Sequence, residues 1–464
     1  MRKTDAGAWA YEEFGHAEMK DLRWGRRLVQ VAHRALLRPA GRVGSVFTND
    51  AERQGAYGFL ESKVVDAAEV GAAMYGAAAR RSAEEDFIFC AVDGTSLTLV
   101  DRDSSKGFGP IGNRSKRSRG LKVMNAMVLS TEGVPLGLTS QQYWTRSERK
   151  RRTNRDLLRP EQKETHYWFK AMQQTREVMA AHAPATRCWF QLDREGDSWP
   201  LLTTAGADNH LFTIRSCRNR WILQADGQQV KLHDLLSKQI VITKYELEVR
   251  GTPKRQARTA TMVVRVARVT LNLRDKRTGR RFPMTLNVVQ AKERGTTPLG
   301  EKPIEWTLLT NKDIDTNGSV HQVIFGYSMR WRIEELHRTW KSGTCGVEET
   351  QLRSPGAVIK WATILIAVAV RIERIKQLAR EQPSLAATDE FTPLEIKATV
   401  MLRFGKPGKA RLKASITVAE VVLWIAQLGG YTGKSSGGPP GSMTIARGLK
   451  DVRAAAQALE ALDL

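Results

Sequence analysis

Two apolar segments that each lead to an aspartate most constrain how this chain can fold. Residues 87–92 are apolar throughout and are followed by Asp93, and the mostly apolar residues 187–192 lead in the same way to Asp193. Short apolar runs of this kind are typical of strands buried on both faces of a sheet. A helical pattern between them and further strand-like runs predict a mixed α/β sheet; the helix is expected over 166–181 and the other strands over 122–129, 134–143 and 211–214.

The regions on either side of this sheet have different patterns. Residues 1 to about 70 have helical periodicity, and helices are expected again from about 318 to the C-terminus. Between about 238 and 311 the chain is rich in Val, Thr and Leu with intervening turn residues, which predicts a β-rich insertion. Near the end, an apolar face at helical spacing needs a partner, either a second copy or the chain's own core; it comprises Val418, Val421, Val422, Ile425, Ala426 and Leu428.

Charge indicates the class of partner. The chain has 73 Lys and Arg against 49 Asp and Glu, a net charge of +24, which is typical of nucleic-acid binders and less so of ribosome-associated or membrane-surface proteins. Its four cysteines form no CxxC pair, which argues against a zinc ribbon, and they are too few and too scattered for a disulfide scaffold. The N-terminus lacks signal-peptide features, and the most apolar stretch, Trp361–Val370, is too short to span a bilayer. A cytoplasmic protein without membrane contacts is expected.

Two basic segments are candidate DNA contacts. The expected helix around residues 22–38 carries Arg23, Arg26 and Arg27 on its polar face, which could contact phosphates or simply face solvent. The second segment could contact end or target DNA or be a solvated loop; its centre is Arg149, Lys150, Arg151 and Arg152.

Asp93 and Asp193 are candidate metal ligands. A carboxylate at the end of a buried strand is held by the sheet and projects at its edge, and two such strands side by side could place both carboxylates on one Mg²⁺, which prefers oxygen ligands. The alternative for each residue is an ordinary turn or N-cap aspartate.

A third carboxylate lies on a basic helix face. If residues 327–341 form a helix, Tyr327, Arg330, Glu334, Arg338 and Lys341 share one side, because they follow one another at three- and four-residue steps. A neighbouring apolar side can anchor the helix in the core through Ile333, Leu336 and Trp340. Glu334 could then complete a metal site while the cations hold phosphates. The alternative is a helix laced by Arg330–Glu334 and Glu334–Arg338 salt bridges.

The pattern Tyr-x2-Arg-x3-Glu-x6-Lys at Tyr327, Arg330, Glu334 and Lys341 resembles the signature of bacterial cut-and-paste transposases of the Tn5 type, in insertion-sequence group four. The segments around Asp93 (Asp-Gly-Thr-Ser) and Asp193 (Asp-Arg-Glu-Gly-Asp) resemble the same family. The resemblance implies a ribonuclease-H-like mixed-sheet core at 71–370 with the insertion at about 238–311. It also implies a helical DNA-end-binding domain at 1–70 and a helical dimerisation region at 371–464.

The resemblance also implies a mechanism. Two Mg²⁺ ions, replaceable by Mn²⁺, would bind Asp93, Asp193 and Glu334, one activating the attacking water or 3′-hydroxyl and one stabilising the leaving oxygen. The family nicks one strand, forms a DNA hairpin, reopens it and joins the end to target DNA. The implied partners are double-stranded DNA, as terminal inverted repeats and target, and a second subunit in the synaptic complex. In a bacterium this places the protein at the nucleoid.

Three further residues match family positions. Trp306 corresponds to a tryptophan that stacks on a flipped base, although a core tryptophan is the alternative. Arg215 corresponds to an arginine near the DNA, with an ordinary surface arginine as the alternative. Tyr57 lies in a Gly-Ala-Tyr motif whose next residue is Gly58, where the family archetype has arginine, so an end contact is missing or moved.

Two other functions remain open from the sequence. A structure-specific nuclease on the same kind of core would need the carboxylates and the basic surface, but not so many phosphate-binding side chains. A non-catalytic DNA-binding regulator derived from a transposase would need the basic surface, but not an intact set of carboxylates. Terminal inverted repeats flanking the gene would favour a mobile element over both.

Overall fold

The computed structural model describes residues 5–112, 118–147, 158–224, 227–249, 251, 255–405, 415–434 and 438–462. The basic cluster Arg149, Lys150, Arg151 and Arg152 lies outside these residues, so its role stays a prediction.

The N-terminal region is helical, as predicted. Its five helices are α1 (Asp5–Phe14), α2 (Leu22–Leu37), α3 (Val43–Val46), α4 (Asp50–Glu61) and α5 (Ala67–Arg81). Side-chain caps fix the starts of α2 and α4, since Asp21 accepts a hydrogen bond from the Arg23 amide and Asn49 from the Ala51 amide. The predicted boundary between residues 70 and 71 falls inside α5, so the backbone has no break at that point.

Within the described part of the chain, twelve strands form one sheet. They are β1 (Phe87–Leu99), β2 (Gly109–Pro110), β3 (Arg119–Leu129), β4 (Pro135–Trp144), β5 (Arg187–Leu192), β6 (Leu211–Arg215), β7 (Trp221–Leu223), β8 (Gln229–Lys231), β9 (Thr243–Val249), β10 (Arg258–Arg274), β11 (Arg281–Glu293) and β12 (Glu305–Thr310). Their order is β2-β3-β1-β5-β6-β12-β11-β10-β7-β8, with β4 on β3 and β9 on β10. The predicted β-rich insertion therefore continues the core sheet, because β12 pairs with β6.

The sheet is mixed, as predicted. β1 pairs in parallel with β5 and antiparallel with β3, and β5 pairs in parallel with β6. Along β1, Phe89 and Ala91 face one hydrophobic core while Ile88, Cys90 and Val92 face another, which is the alternation of a strand buried on both sides. The mixed sheet between helical ends confirms the predicted fold class, a ribonuclease-H-like core.

The remaining helices cover the sheet and form the C-terminal region. They are α6 (His166–His182), α7 (Trp199–Ala205), α8 (Leu232–Ser237), α9 (Asn317–Met329), α10 (Trp331–Lys341), α11 (Pro355–Glu381), α12 (Pro393–Phe404), α13 (Val418–Leu428) and α14 (Ser442–Ala461). The core that contains Phe89, called the first core below, includes residues of α1, α2, α10 and α11. The core that contains Ile88, called the second core, includes residues of α6, α7 and α8.

Helix α11 is the central helix of the C-terminal half. It is 27 residues long, so the apolar stretch at Trp361–Val370 is part of a longer element than the sequence suggested. Among the described residues it alone is long and apolar enough to cross a membrane, but 78% of its most apolar window is buried inside the protein, as in the core helix of a globular domain. The predicted boundary at 370/371 lies within this helix.

The apolar face predicted on α13 is covered by the chain itself. Val418, Val421 and Ile425 are buried in a third core with Ile375 of α11 and Leu449 of α14. Of the two partners left open by the sequence, the structure therefore favours the chain's own core, and this face gives no support for a dimer contact.

Candidate active site

The register of β1 and β5 places Asp93 next to Asp193. The last parallel pair is Val92 with Leu192, and each aspartate is the next residue. Neighbouring strands lie about 4.8 Å apart, and side chains at every second position of a strand point to the same face. Asp93 and Asp193 lie four positions after Phe89 and Trp189, which face the first core, so both aspartates are on that face. The sequence placed both residues at strand ends; β1 in fact continues to Leu99 along β3, and only its pairing with β5 ends before Asp93.

Asp193 is also an N-cap residue, the alternative that the sequence left open. Its Oδ1 accepts a hydrogen bond of 2.8 Å from the Glu195 amide and caps the short 3-10 helix Arg194–Gly196. Asp197, just beyond, is buried and accepts a 2.8 Å bond from the Cys217 amide. The turn after β5 is therefore fixed by its own carboxylates, which holds Asp193 in place without using both of its oxygens for the cap.

The segment expected as one helix is divided at Arg330. Helix α9 ends at Met329 and α10 begins at Trp331, with Arg330 between them in helical backbone geometry (φ −53°, ψ −31°), so the residues predicted on one helix face belong to two consecutive helices. Ile333, Leu336 and Trp340 are fully buried and anchor α10, as expected. Close approach of α9 to β1 depends on Gly326, because a side chain there would overlap the Phe89 ring.

Arg330 connects the first and third carboxylates. Its Nη1 donates to Asp93 Oδ2 at 3.1 Å and its Nη2 donates to Glu334 Oε1 at 2.7 Å. The Arg330–Glu334 pair proposed as a simple helix salt bridge is thus formed, while the ion pairs seen within the described ranges do not include Glu334–Arg338. A salt bridge that only stabilises the helix does not require the second hydrogen bond, from Arg330 to Asp93, which lies 237 residues earlier in the chain.

The three carboxylates interact electrostatically. Burial, together with the negative charges of Asp193 and Glu334, raises the pKa of Asp93 to about 7 against the opposing charge of Arg330. A carboxylate is destabilised in this way when it is desolvated near other carboxylates, and a bound cation would relieve the repulsion.

The donor set fits a hard divalent cation, since all three side chains offer carboxylate oxygens. In the part of the chain that the structure describes, however, no three His, Cys, Asp or Glu side chains lie together at metal-ligand spacing. The Arg330 guanidinium lies between Asp93 and Glu334 and supplies the positive charge there.

Aromatic and basic side chains surround these acids. Tyr327 is 2% exposed; burial raises the pKa of its hydroxyl, while the nearby Arg330 and Arg215 charges oppose the rise. The Trp306 ring packs edge-on against Tyr327 with centroids 5.5 Å apart, and Arg215 donates to the Glu305 carbonyl at 2.8 Å. Trp306 is partly buried and Arg215 is half-buried. The structure brings these predicted residues together, and their roles in DNA contact stay predictions.

Two lysines lie along the continuation of β1. Lys341 Nζ is 3.4 Å from Thr95 Oγ1 and 3.6 Å from Glu348, whereas Arg338 is exposed. Lys122, which the sequence analysis missed, donates to Ser96 Oγ at 2.9 Å. Its pKa is lowered by burial and by the charges of Arg146 and Lys341. No motif marks Lys122, and only its pairing with Ser96 across β1 and β3 reveals it.

The N-terminal candidates differ in exposure. Arg23 has 88% of its side chain exposed and pairs with Asp21, and Arg26 is exposed. Arg27 packs over α4, since a Cβ at Gly55 would lie 2.7 Å from its Nη1. Tyr57 is half-buried against the first core. Arg23 and Arg26 are therefore the more accessible of these predicted phosphate contacts.

Two family models match the chain at its two ends. Residues 6–65, which include α2 to α4 and most of α1, match the transposase DNA-binding family. Residues 367–460, from the second half of α11 through almost all of α14, match the Tn5 transposase dimerisation domain. They flank the sheet that carries Asp93 and Asp193, in the order expected from the resemblance. A match to a transposase DNA-binding family before the sheet and to the Tn5 transposase dimerisation domain after it together support a transposase of the Tn5 type.

Proposed function

We propose that this transposase cuts transposon ends and joins them to target DNA by metal-dependent phosphoryl transfer at Asp93, Asp193 and Glu334. The observation that supports the proposal is the ion-pair bridge that Arg330 forms between Asp93 and Glu334. Asp93 and Asp193 also each follow the last parallel pair of β1 and β5, Val92 with Leu192. The substrates are the terminal inverted repeats and a target duplex, and two subunits act together.

Mg²⁺, or Mn²⁺ in its place, would be held by these three carboxylates and would activate a water or 3′-hydroxyl and stabilise the leaving oxygen. The cations around the acids would bind the phosphates of the cut strand. Arg330 suits this role because a guanidinium can bind phosphate in two-point geometry, and Lys122 and Lys341 extend the positive charge along β1.

Trp306 and Tyr327 suit a DNA strand that must bend sharply. A base turned out of the duplex can stack on an exposed indole face, and Trp306 is held from one side by Tyr327. This arrangement supports the hairpin route of the family, in which the new 3′-hydroxyl attacks the opposite strand.

The proposal is tested with duplexes that carry the repeats flanking the gene, incubated with the protein in Mg²⁺ or in chelator. A denaturing gel should show a nick at the repeat border, then a hairpin product, then joined products, all only with Mg²⁺. Asp86→Ala is the matched control, because Asp86 is an exposed aspartate just before the opposite end of β1. Cleavage without joining would indicate a nuclease, and end binding without cleavage would indicate a regulator.

A further inference from the structure

A buried hydrogen bond fastens α10 to the sheet beside the carboxylates. The Asn125 side-chain amide nitrogen lies 2.9 Å from His337 Nε2, and the two residues are 0% and 7% exposed. Asn125 is the register partner of Asp93 across β3 and β1, so both side chains face the same core. His337 lies one helical turn after Glu334, on the same side of α10.

The direction of this bond is fixed by its neighbours. Gln141 Nε2 donates to Asn125 Oδ1 at 2.9 Å, which leaves the Asn125 amide nitrogen to donate to His337 Nε2. The imidazole must then be neutral, with its proton on Nδ1. Burial lowers the pKa of His337 to about 3, and the Lys341 and Arg330 charges act in the same direction. A further hydrogen bond connects Gln141 to α5, since the Tyr75 hydroxyl accepts from the backbone N–H of Gln141 at 3.0 Å.

The other buried hydrogen bonds of α10 are made to α11 rather than to the sheet. Trp340 Nε1 donates to the Ala362 carbonyl at 2.9 Å, and Thr339 Oγ1 donates to Glu373. Ile333 and Leu336 add apolar packing, which is non-directional. Arg330 reaches Glu334 through a long side chain. The bond between Asn125 and His337 is directional and joins the backbone position opposite Asp93 to the helical turn after Glu334.

We propose that Asn125 and His337 are positioning residues that set the distance between Glu334 and Asp93 for strand cleavage. This inference rests on the proposed function of the carboxylates. Neither residue would touch DNA, so their loss should slow the chemical step and leave end binding unchanged. A displacement of about 1 Å in an active site can lower a rate about 100-fold.

Four variants separate positioning from general stability. His337→Leu removes the acceptor, and His337→Gln keeps an acceptor near the position of Nε2. The double variant Asn125→Leu/His337→Leu removes both polar groups of this bond. Because Gln141 Nε2 then loses its acceptor, Asn125 Oδ1, the thermal midpoint is compared alongside the rate. Thr139→Val is the matched control, since it deletes a buried 2.8 Å bond to Thr175 that joins β4 to α6 elsewhere in the core.

The measurements are the single-turnover cleavage rate at saturating end DNA and Mg²⁺, the Kd for end DNA and the thermal midpoint. We expect cleavage to fall about 10- to 100-fold in His337→Leu and in the double variant, with Kd within about twofold. His337→Gln should recover most of the rate, and Thr139→Val should cleave normally.

Wild-type cleavage by the double variant would overturn the inference, because the pair would then contribute only to stability; so would a His337→Gln protein as slow as His337→Leu. If His337→Leu does not fold, the double variant and His337→Gln still decide the question. Absence of cleavage by the wild-type protein would overturn the proposed function and this inference with it, whereas normal cleavage by every variant would overturn the inference alone.

Discussion

Asp93 should make the stability of the cation-free protein fall as pH rises. Its pKa is raised to about 7 from an ordinary 3.8, first by burial and then by Asp193 and Glu334, against the opposing charge of Arg330. The folded protein therefore keeps a proton that the unfolded chain releases. The stability that this proton contributes is complete below pH 3.8 and is lost progressively as the pH rises towards and through 7.

The size of the effect follows from the pKa difference. The difference is 7 − 3.8 = 3.2, and at about 1.36 kcal/mol for each pKa unit it corresponds to about 4 kcal/mol. Asp93→Asn keeps the shape of the side chain and cannot ionise. Relative to the wild type, its free energy of unfolding should therefore rise by about 4 kcal/mol between pH 4 and pH 8.

The assay is urea unfolding followed by tryptophan fluorescence, in chelator, at several pH values across this range. Comparing variant with wild type at each pH cancels the other titrating groups. Asp86→Asn, at an exposed site, should differ from the wild type by no more than about 0.5 kcal/mol throughout. Adding Mg²⁺ at pH 8 should stabilise the wild type but not Asp93→Asn. A pH-independent difference between Asp93→Asn and the wild type would mean that the Asp93 carboxyl has the same pKa in the folded and the unfolded protein.

Three further predictions concern the core, the DNA chemistry and the charge. Lys376→Met should lower the free energy of unfolding by about 3–5 kcal/mol, measured by thermal denaturation, because Lys376 is buried and pairs with Glu335 at 3.1 Å and with Glu373; an unchanged midpoint would contradict this. Trp306→Ala should slow hairpin formation more than first-strand nicking, since stacking of one base contributes about 1–3 kcal/mol, and equal loss of both steps in single-turnover assays would make Trp306 a structural residue. The affinity for end DNA should fall with salt at a log–log slope of about −0.9 per phosphate contact, and Arg26→Ala should reduce that slope by about one contact, whereas a flat salt titration would exclude phosphate binding.

The strands and their carboxylates could be predicted because the pattern is local. An apolar run such as 87–92 reports burial on both faces of a strand, and its end marks where Asp93 leaves the parallel pairing with β5. The β-rich insertion was predictable for the same reason, from runs rich in Val, Thr and Leu between turn residues. Its continuity with the core sheet was not, because β12 pairs with β6 across about 90 residues.

The break at Arg330 could not be predicted. No proline or glycine occupies that position, and the residues on either side continue the helical periodicity. Arg330 bonds to Asp93, 237 residues away, so a local pattern carries no trace of this contact. Asn125 and Lys122 were missed because their importance depends on strand register, and His337 because its partner lies on another element.

The most direct test of the proposed catalytic site is single-turnover cleavage of end DNA in Mg²⁺ by Asp93→Ala, Asp193→Ala and Glu334→Ala, with end binding measured on the same preparations. Each variant should lose cleavage and keep end binding close to that of the wild type, because the proposed role of these side chains is at the reacting phosphate rather than on the duplex. Asp86→Ala should cleave normally. Near-normal cleavage by any one of the three variants would contradict the proposal that all three carboxylates form the catalytic site.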